Sequence, residues 1–161
     1  MVLFPHCKIN LGLRVLGKRQ DGYHNLETVF YPLPVHDILE FLPSTGTAVS
    51  CTISGLSIQG KPEDNLCVKA WQLLKKDFPQ LPAIDIWLHK KIPMGAGLGG
   101  GSSDGAFMLK ALNDYFTLGI TPNALKAYAI TLGSDCPFFL QNGPCLGTGR
   151  GDVLEPVDLS I

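Results

Sequence analysis

The sequence predicts an α+β layered domain, and three observations carry that expectation. The opening third is β-rich with short connections, helical periodicity follows it in three segments, and short extended runs return after Pro137. The resulting order is strands, helix, strand, glycine-rich loop, two helices, strands, which is not a regular βαβ array. At 161 residues and 45% hydrophobic side chains, the chain can bury one substantial core.

The first element is the alternating run Lys8 to Leu16. Ile9, Leu11, Leu13 and Val15 share one face, and Lys8, Asn10, Gly12 and Arg14 the other, which predicts a half-buried strand. The polar stretch Gly17 to Gly22 predicts a turn. Extended runs over Asn25 to Leu33, Asp37 to Leu42 and Val49 to Ile53 follow, and their short links favour antiparallel pairing. A helix is predicted from Asp64 or Asn65, either of which can cap. Cys67, Ala70, Trp71, Leu74 and Phe78 fall on one face of it before Pro79 and Pro82 end it. Ile84, Ile86 and Leu88 alternate as a strand leading to Lys90 and the glycine loop. Beyond the loop, Ser102 or Ser103 is predicted to cap a helix that buries Gly105, Met108, Leu109, Leu112, Tyr115 and Phe116. A third helix runs from Pro122, after Thr121, to Leu132, with Gly133 as its stop and Leu125, Tyr128, Ala129 and Leu132 inward. Phe138 to Leu140, Cys145 to Leu146 and Val153 to Leu154 are predicted as short strands.

Composition narrows the function classes. The formal net charge is −1 and no block of like charges occurs, so nucleic acid is not an expected partner. No apolar run approaches the roughly 20 residues that span a bilayer, so no membrane partner is expected either. The first residues lack the pattern of a secretory signal. Five cysteines without a Cys-x-x-Cys spacing read as reduced thiols, which fits a cytoplasmic location. The four histidines also lack zinc-ligand spacing, and no resident metal site is expected.

Residues Pro93 to Asp104 read PMGAGLGGGSSD, and five of the seven residues from Gly95 to Gly101 are glycine. Glycines let backbone N–H groups converge on an anion, and a helix N-terminus adds its own unpaired N–H groups and positive dipole end. Three phosphate-loop templates compete. The P-loop pattern fails, because Ser102 follows Gly101 where a lysine should stand. The dinucleotide pattern G-x-G-x-x-G matches residues 95 to 100, but it should open a first βα unit, and here a β-rich third and a helix precede it. The pattern P-x-x-x-G-L-x-x-x-S-S fits fully at Pro93, Gly97, Leu98, Ser102 and Ser103.

That third pattern resembles the phosphate-binding motif of the GHMP kinases, which transfer phosphate from ATP to small molecules. The likeness extends to Lys8-Ile9-Asn10-Leu11, Asp21-Gly22-Tyr23-His24-Asn25-Leu26, Glu63-Asp64-Asn65-Leu66, Leu132 to Phe138 and Gly149-Arg150-Gly151-Asp152, in family order across nearly the whole chain. These segments resemble the branch that acts on a cytidine-diphosphate-bearing alcohol in isoprenoid precursor biosynthesis. The resemblance implies a ribosomal protein S5 domain 2-like layer of sheet and helices. It implies transfer of the γ-phosphoryl group of ATP, with Mg²⁺, to a tertiary hydroxyl. A different small alcohol, such as mevalonate or homoserine, is the nearest alternative substrate.

Residue by residue, the resemblance implies the following roles. Asp135 is the catalytic base and Lys8 its partner, which orients the hydroxyl and offsets charge near the γ-phosphate. Asn10, on the Lys8 face, points into the same site. Tyr23 and His24 grip the cytidine end by stacking and hydrogen bonding. Pro93, Met94, Gly95, Ala96, Gly97, Leu98, Gly99, Gly100, Gly101, Ser102 and Ser103 wrap the triphosphate. Asn65 and Lys90 lie near the adenosine, although Asn65 reads equally as a helix cap and Lys90 equally as a surface charge. The family also carries a C-terminal domain with a further glycine-rich motif. None follows Gly151, so residues 1–161 read as the N-terminal, ATP-binding domain alone, expected to be weakly active or inactive without its second half. Oligomeric state is not legible.

Overall fold

The computed structural model describes residues 1–58, 60–141 and 143–160. Two four-stranded sheets and three α-helices make up these residues. The strands are β1 (Val2–Leu3), β2 (His6–Lys18), β3 (His24–His36), β4 (Ile38–Pro43), β5 (Ser50–Gly55), β6 (Ile84–Lys90), β7 (Cys145–Thr148) and β8 (Val153–Pro156). The helices are α1 (Leu66–Asp77), α2 (Gly100–Tyr115) and α3 (Pro122–Leu132). One sheet has the order β1-β4-β6-β5 and the other β2-β3-β7-β8.

The core lies between the first sheet and the helices. Ile84, Ile86 and Leu88 of β6 and Leu39 and Phe41 of β4 are buried against Cys67, Ala70, Trp71 and Leu74 of α1 and Met108, Leu109 and Leu112 of α2. Of the two expected caps, Asp64 and Asn65, it is Asn65 that caps α1, accepting from Cys67 N at 2.9 Å. Thr121 caps α3, with Pro122 in the first turn. Gly105 of α2 lies directly against Leu66. A Cβ there would lie 2.8 Å from Leu66 Cβ, so the missing side chain lets α1 close onto α2.

Five expectations are corrected. Phe138 to Leu140 is part of a 3₁₀ helix, Cys136–Leu140, not a strand; Pro137 starts it, and Asp135 O accepts from Phe138 N. The predicted strand at Val49 to Ile53 is Ser50–Gly55, and it pairs parallel with β6, because α1 carries the chain back across the sheet. The Lys8 to Leu16 strand is not half-buried throughout. Leu13 and Val15 are 57% and 63% exposed, because the β2–β3 hairpin runs past the helices that cover its first residues. Tyr115, placed on the buried face of α2, is exposed at the helix end. Neither Ser102 nor Ser103 caps α2; Gly99 does, in the left-handed region at φ 69°, so both serines lie in the first turn. The cysteines match expectation as free thiols, four of them buried.

Candidate active site

The glycine loop leaves β6 at Lys90, crosses the end of β2 and enters α2. Its glycines 95, 97 and 99 all have positive φ (73°, 73° and 69°), while the residues between them do not. This alternation turns successive N–H groups toward one side, as anion-binding backbone nests do. Residues Pro93 to Gly97 are exposed. The loop is anchored where it passes β2: Lys8 N donates to Leu98 O at 3.0 Å. Gly99 could carry no side chain there, since a Cβ would sit 2.8 Å from the Phe139 ring and 3.2 Å from Lys8 Cε. Gly100 meets the same limit against Ile92 at 2.8 Å.

Beneath that crossing, Lys8 is buried, unlike most lysines. Its Nζ lies 3.4 Å from Asp135 Oδ2 and donates to Asn10 Oδ1 at 2.6 Å. The ammonium also sits 5.0 Å from the centre of the Phe30 ring. Asn10 Nδ2 in turn donates to Thr28 Oγ1 at 3.0 Å, which fixes the amide. Asp135 stands just before the 3₁₀ helix and keeps its side chain 32% exposed, while that of Lys8 is 5% exposed. A buried cation thus holds an open carboxylate beside the loop. Burial pushes the neighbouring Cys136 thiol up to about 11, which favours its protonated form.

A second lysine lies on the other side of the loop. β6 alternates inward at Ile84, Ile86, Leu88 and Lys90, so Lys90 enters the core and is not a surface charge. Its Nζ donates to Asp104 Oδ2 at 2.7 Å and to Asp37 Oδ2. Asp37 Oδ1 accepts from Lys91 N at 2.6 Å and Ile92 N at 2.9 Å, directly before the loop. Burial alone would lower the Lys90 pKa, but Asp104 and Asp37 outweigh it and hold the group above the ordinary lysine range. Burial raises Asp104 to about 7 despite the opposing pull of Lys90. Two oxygens at the start of α2, Ser103 Oγ and Asp104 Oδ1, are buried without a partner among the described residues. Asn65, Lys90, Met94, Gly101 and Asp104 line one pocket beside the loop, so Asn65 is both a helix cap and a pocket wall.

The structure therefore brings Lys8, Asn10, Asp135 and the loop together, and places Asn65 and Lys90 beside it. It does not bring Tyr23 and His24 to that cluster. They lie at the far end of the β2–β3 hairpin, where His24 pairs with Lys18, ten strand positions beyond Lys8. Tyr23 is exposed there, with the Arg150 guanidinium 4.1 Å over its ring. Sequence reasoning missed Asp37 and gave Asp104 no role. The inward alternation of β6 signals that a buried Lys90 needs carboxylate partners, but which ones only the fold reveals. Among the described residues no group of three His, Cys, Asp or Glu could hold a metal ion, and no helix is long and apolar enough to cross a membrane.

Residues 65–143 match the family described as GHMP kinases N terminal domain. The chain is 53% identical over 163 aligned residues to 4-diphosphocytidyl-2-C-methyl-D-erythritol kinase of Bacteroides fragilis, covering 100% of this chain and 59% of that one. It is 52% identical to the protein of the same name from Parabacteroides distasonis, covering 100% of this chain and 58% of that one. A crystal structure of 4-(cytidine 5′-diphospho)-2C-methyl-D-erythritol kinase superposes with a TM-score of 0.81 at 39% identity, covering 99% of this chain and 56% of that one. The chain thus spans somewhat more than half the length of these relatives.

Proposed function

We propose, from the match of residues 65–143 to the GHMP kinases N terminal domain, that this chain supplies the phosphate loop and the catalytic pair of a kinase acting on 4-diphosphocytidyl-2-C-methyl-D-erythritol. The enzyme would transfer the γ-phosphoryl group of ATP to the 2-hydroxyl of that substrate, in the non-mevalonate route to isoprenoid precursors. One juxtaposition carries the reading: the buried Lys8 ammonium holds the open Asp135 carboxylate at 3.4 Å, while Lys8 N anchors the loop through Leu98 O.

Each demand of phosphoryl transfer has a residue here. The left-handed glycines and the N–H groups opening α2 form the cradle for the polyphosphate. Asp135 is the group able to accept the hydroxyl proton as the new O–P bond forms. Lys8 orients that carboxylate and adds positive charge beside the transferring group. Asn10 holds Lys8 in place through its own bond to Thr28. Mg²⁺ would be held by phosphate oxygens and water with the Ser102 hydroxyl in the first turn of α2, since it favours only one or two protein ligands, which leaves Asp135 free to accept the proton. When bound, it neutralises polyphosphate charge. The pocket of Asn65, Lys90 and Met94 is the expected adenosine side, and Tyr23 with His24 the expected cytidine side.

Coupled-assay measurement of ADP release, with ATP, Mg²⁺ and the diphosphocytidyl substrate, tests this. Turnover is expected from the longest polypeptide that the gene encodes, and little from residues 1–161 alone. No turnover by the longer polypeptide would sink the kinase reading. Turnover with mevalonate or homoserine in preference would move the substrate.

A further inference from the structure

Tyr23 is more than half exposed, yet it is held from several sides. Its N–H donates to Asp21 Oδ1 at 3.1 Å, and its carbonyl accepts from Arg19 N at 2.7 Å. Three residues on, Leu26 N donates to Gly149 O at 2.8 Å, which ties the turn after β7 to the start of β3. That turn is shaped to deliver Arg150. Gly149 and Gly151 take φ 66° and 92°, Gly151 packs on the Phe30 ring, and Arg150 N donates to Asp152 Oδ1 at 3.0 Å. The guanidinium then lies 4.1 Å from the Tyr23 ring centre.

Arg150 makes no close ion pair among the described residues, and its charge acts on Asp21 only from a distance. Arg19 takes the Asp21 carboxylate, and the buried Nε of Arg150 has no hydrogen-bond partner among the described residues. An arginine that gives up hydrogen bonding to lie on an aromatic face is held by that face. It covers one side of the Tyr23 ring and fixes the plane of the other.

We propose that Arg150 is a positioning residue for substrate specificity, presenting the open face of Tyr23 to the pyrimidine of the substrate. This rests on the reading that Tyr23 stacks on cytosine. A ring whose plane is already set loses less freedom on binding, so the gain appears in affinity for the pyrimidine end and not in the chemical step. Neither Arg150 nor Tyr23 lines the pocket of Asn65, Lys90 and Met94.

Calorimetric titration of the longest polypeptide with cytidine 5′-diphosphate, and separately with ATP, tests this on Arg150→Ala, Arg150→Lys and Tyr23→Ala. Arg150→Ala is expected to weaken cytidine diphosphate binding about tenfold, with ATP binding and Tm unchanged, and Arg150→Lys to recover part of the loss. In turnover, Arg150→Ala should raise KM for the cytidine substrate while kcat and KM for ATP stay fixed. Unchanged cytidine diphosphate binding in Arg150→Ala, with Tyr23→Ala deficient, would overturn the proposal and leave the kinase reading standing. Equal weakening toward both ligands with a lowered Tm would assign Arg150 to the fold and overturn it too. Wild-type binding by Tyr23→Ala would instead remove the reading beneath it.

Discussion

Two lysines flank the glycine loop, and each meets aspartate, but in opposite settings. Lys8 pairs with one carboxylate, Asp135, that keeps a third of its surface open. Lys90 sits between two, Asp37 and Asp104, and all three side chains are sealed. A carboxylate open to a cleft can exchange a proton with a ligand. A sealed one can only hold structure, here by gripping Lys91 N and Ile92 N at the root of the loop. The contrast teaches that exposure, not residue type, separates the pair available for chemistry from the group that sets the loop.

The sharpest way to break this comparison is Asp135→Asn. Loss of the proton acceptor is expected to cut turnover by about 10²–10⁴-fold while ATP binding, measured by titration, persists. Loss of ATP binding instead would make Asp135 structural, like Asp37. Next in size is Lys90→Met, which leaves two buried carboxylates without their cation and is expected to cost about 3–5 kcal/mol in urea unfolding. The matching change Lys8→Met leaves only the part-exposed Asp135 unpaired and is expected to cost about 1 kcal/mol or less. Equal losses from the two would erase the distinction. Gly99→Ala comes third. Left-handed strain of roughly 1–2 kcal/mol, together with the Phe139 and Lys8 contacts, should lower Tm and weaken ATP binding. An unchanged ATP affinity would show that the loop tolerates displacement.

A fourth effect is a pH dependence. Asp104 stands at about 7 in the fold, against an ordinary aspartate value of 3.8. Between these values the folded chain keeps a proton that the unfolded chain has lost, so this group's contribution to stability falls as pH rises through that window. Asp104→Asn should therefore show a flatter Tm profile from pH 4 to pH 7 than the parent. Parallel profiles would show that the Asp104 carboxyl does not titrate in this range.

Much of the fold was readable from local pattern. The caps Asn65 and Thr121 and the inward alternation of β6 depend on neighbours within a few residues, so sequence reports them. Phe138 to Leu140 misled because a short apolar run has no periodicity to separate strand from 3₁₀ helix, and the helix is decided only once Asp135 O is placed to accept from Phe138 N. The apolar face of β2 misled differently: alternation shows that one face is apolar, not whether anything covers it. Lys8, Asn10, Asp135 and the loop were legible as residue types in order. Asp37 was not, because nothing adjacent to it in sequence asks for a carboxylate.

By itself, the sequence determined the loop, the α+β order, the caps of α1 and α3 and the residues offered for phosphate and proton handling. These follow from backbone preferences and spacing, which act over a turn or two of chain. Only the tertiary structure decided which lysine meets which aspartate, and how much water each pair keeps. Those depend on bringing Lys8 against Asp135, and Asp37 against Lys90 and Asp104, across separations that no local pattern spans. Burial, set by everything packed around a charge, then fixes whether that charge is free to react or held to support the loop.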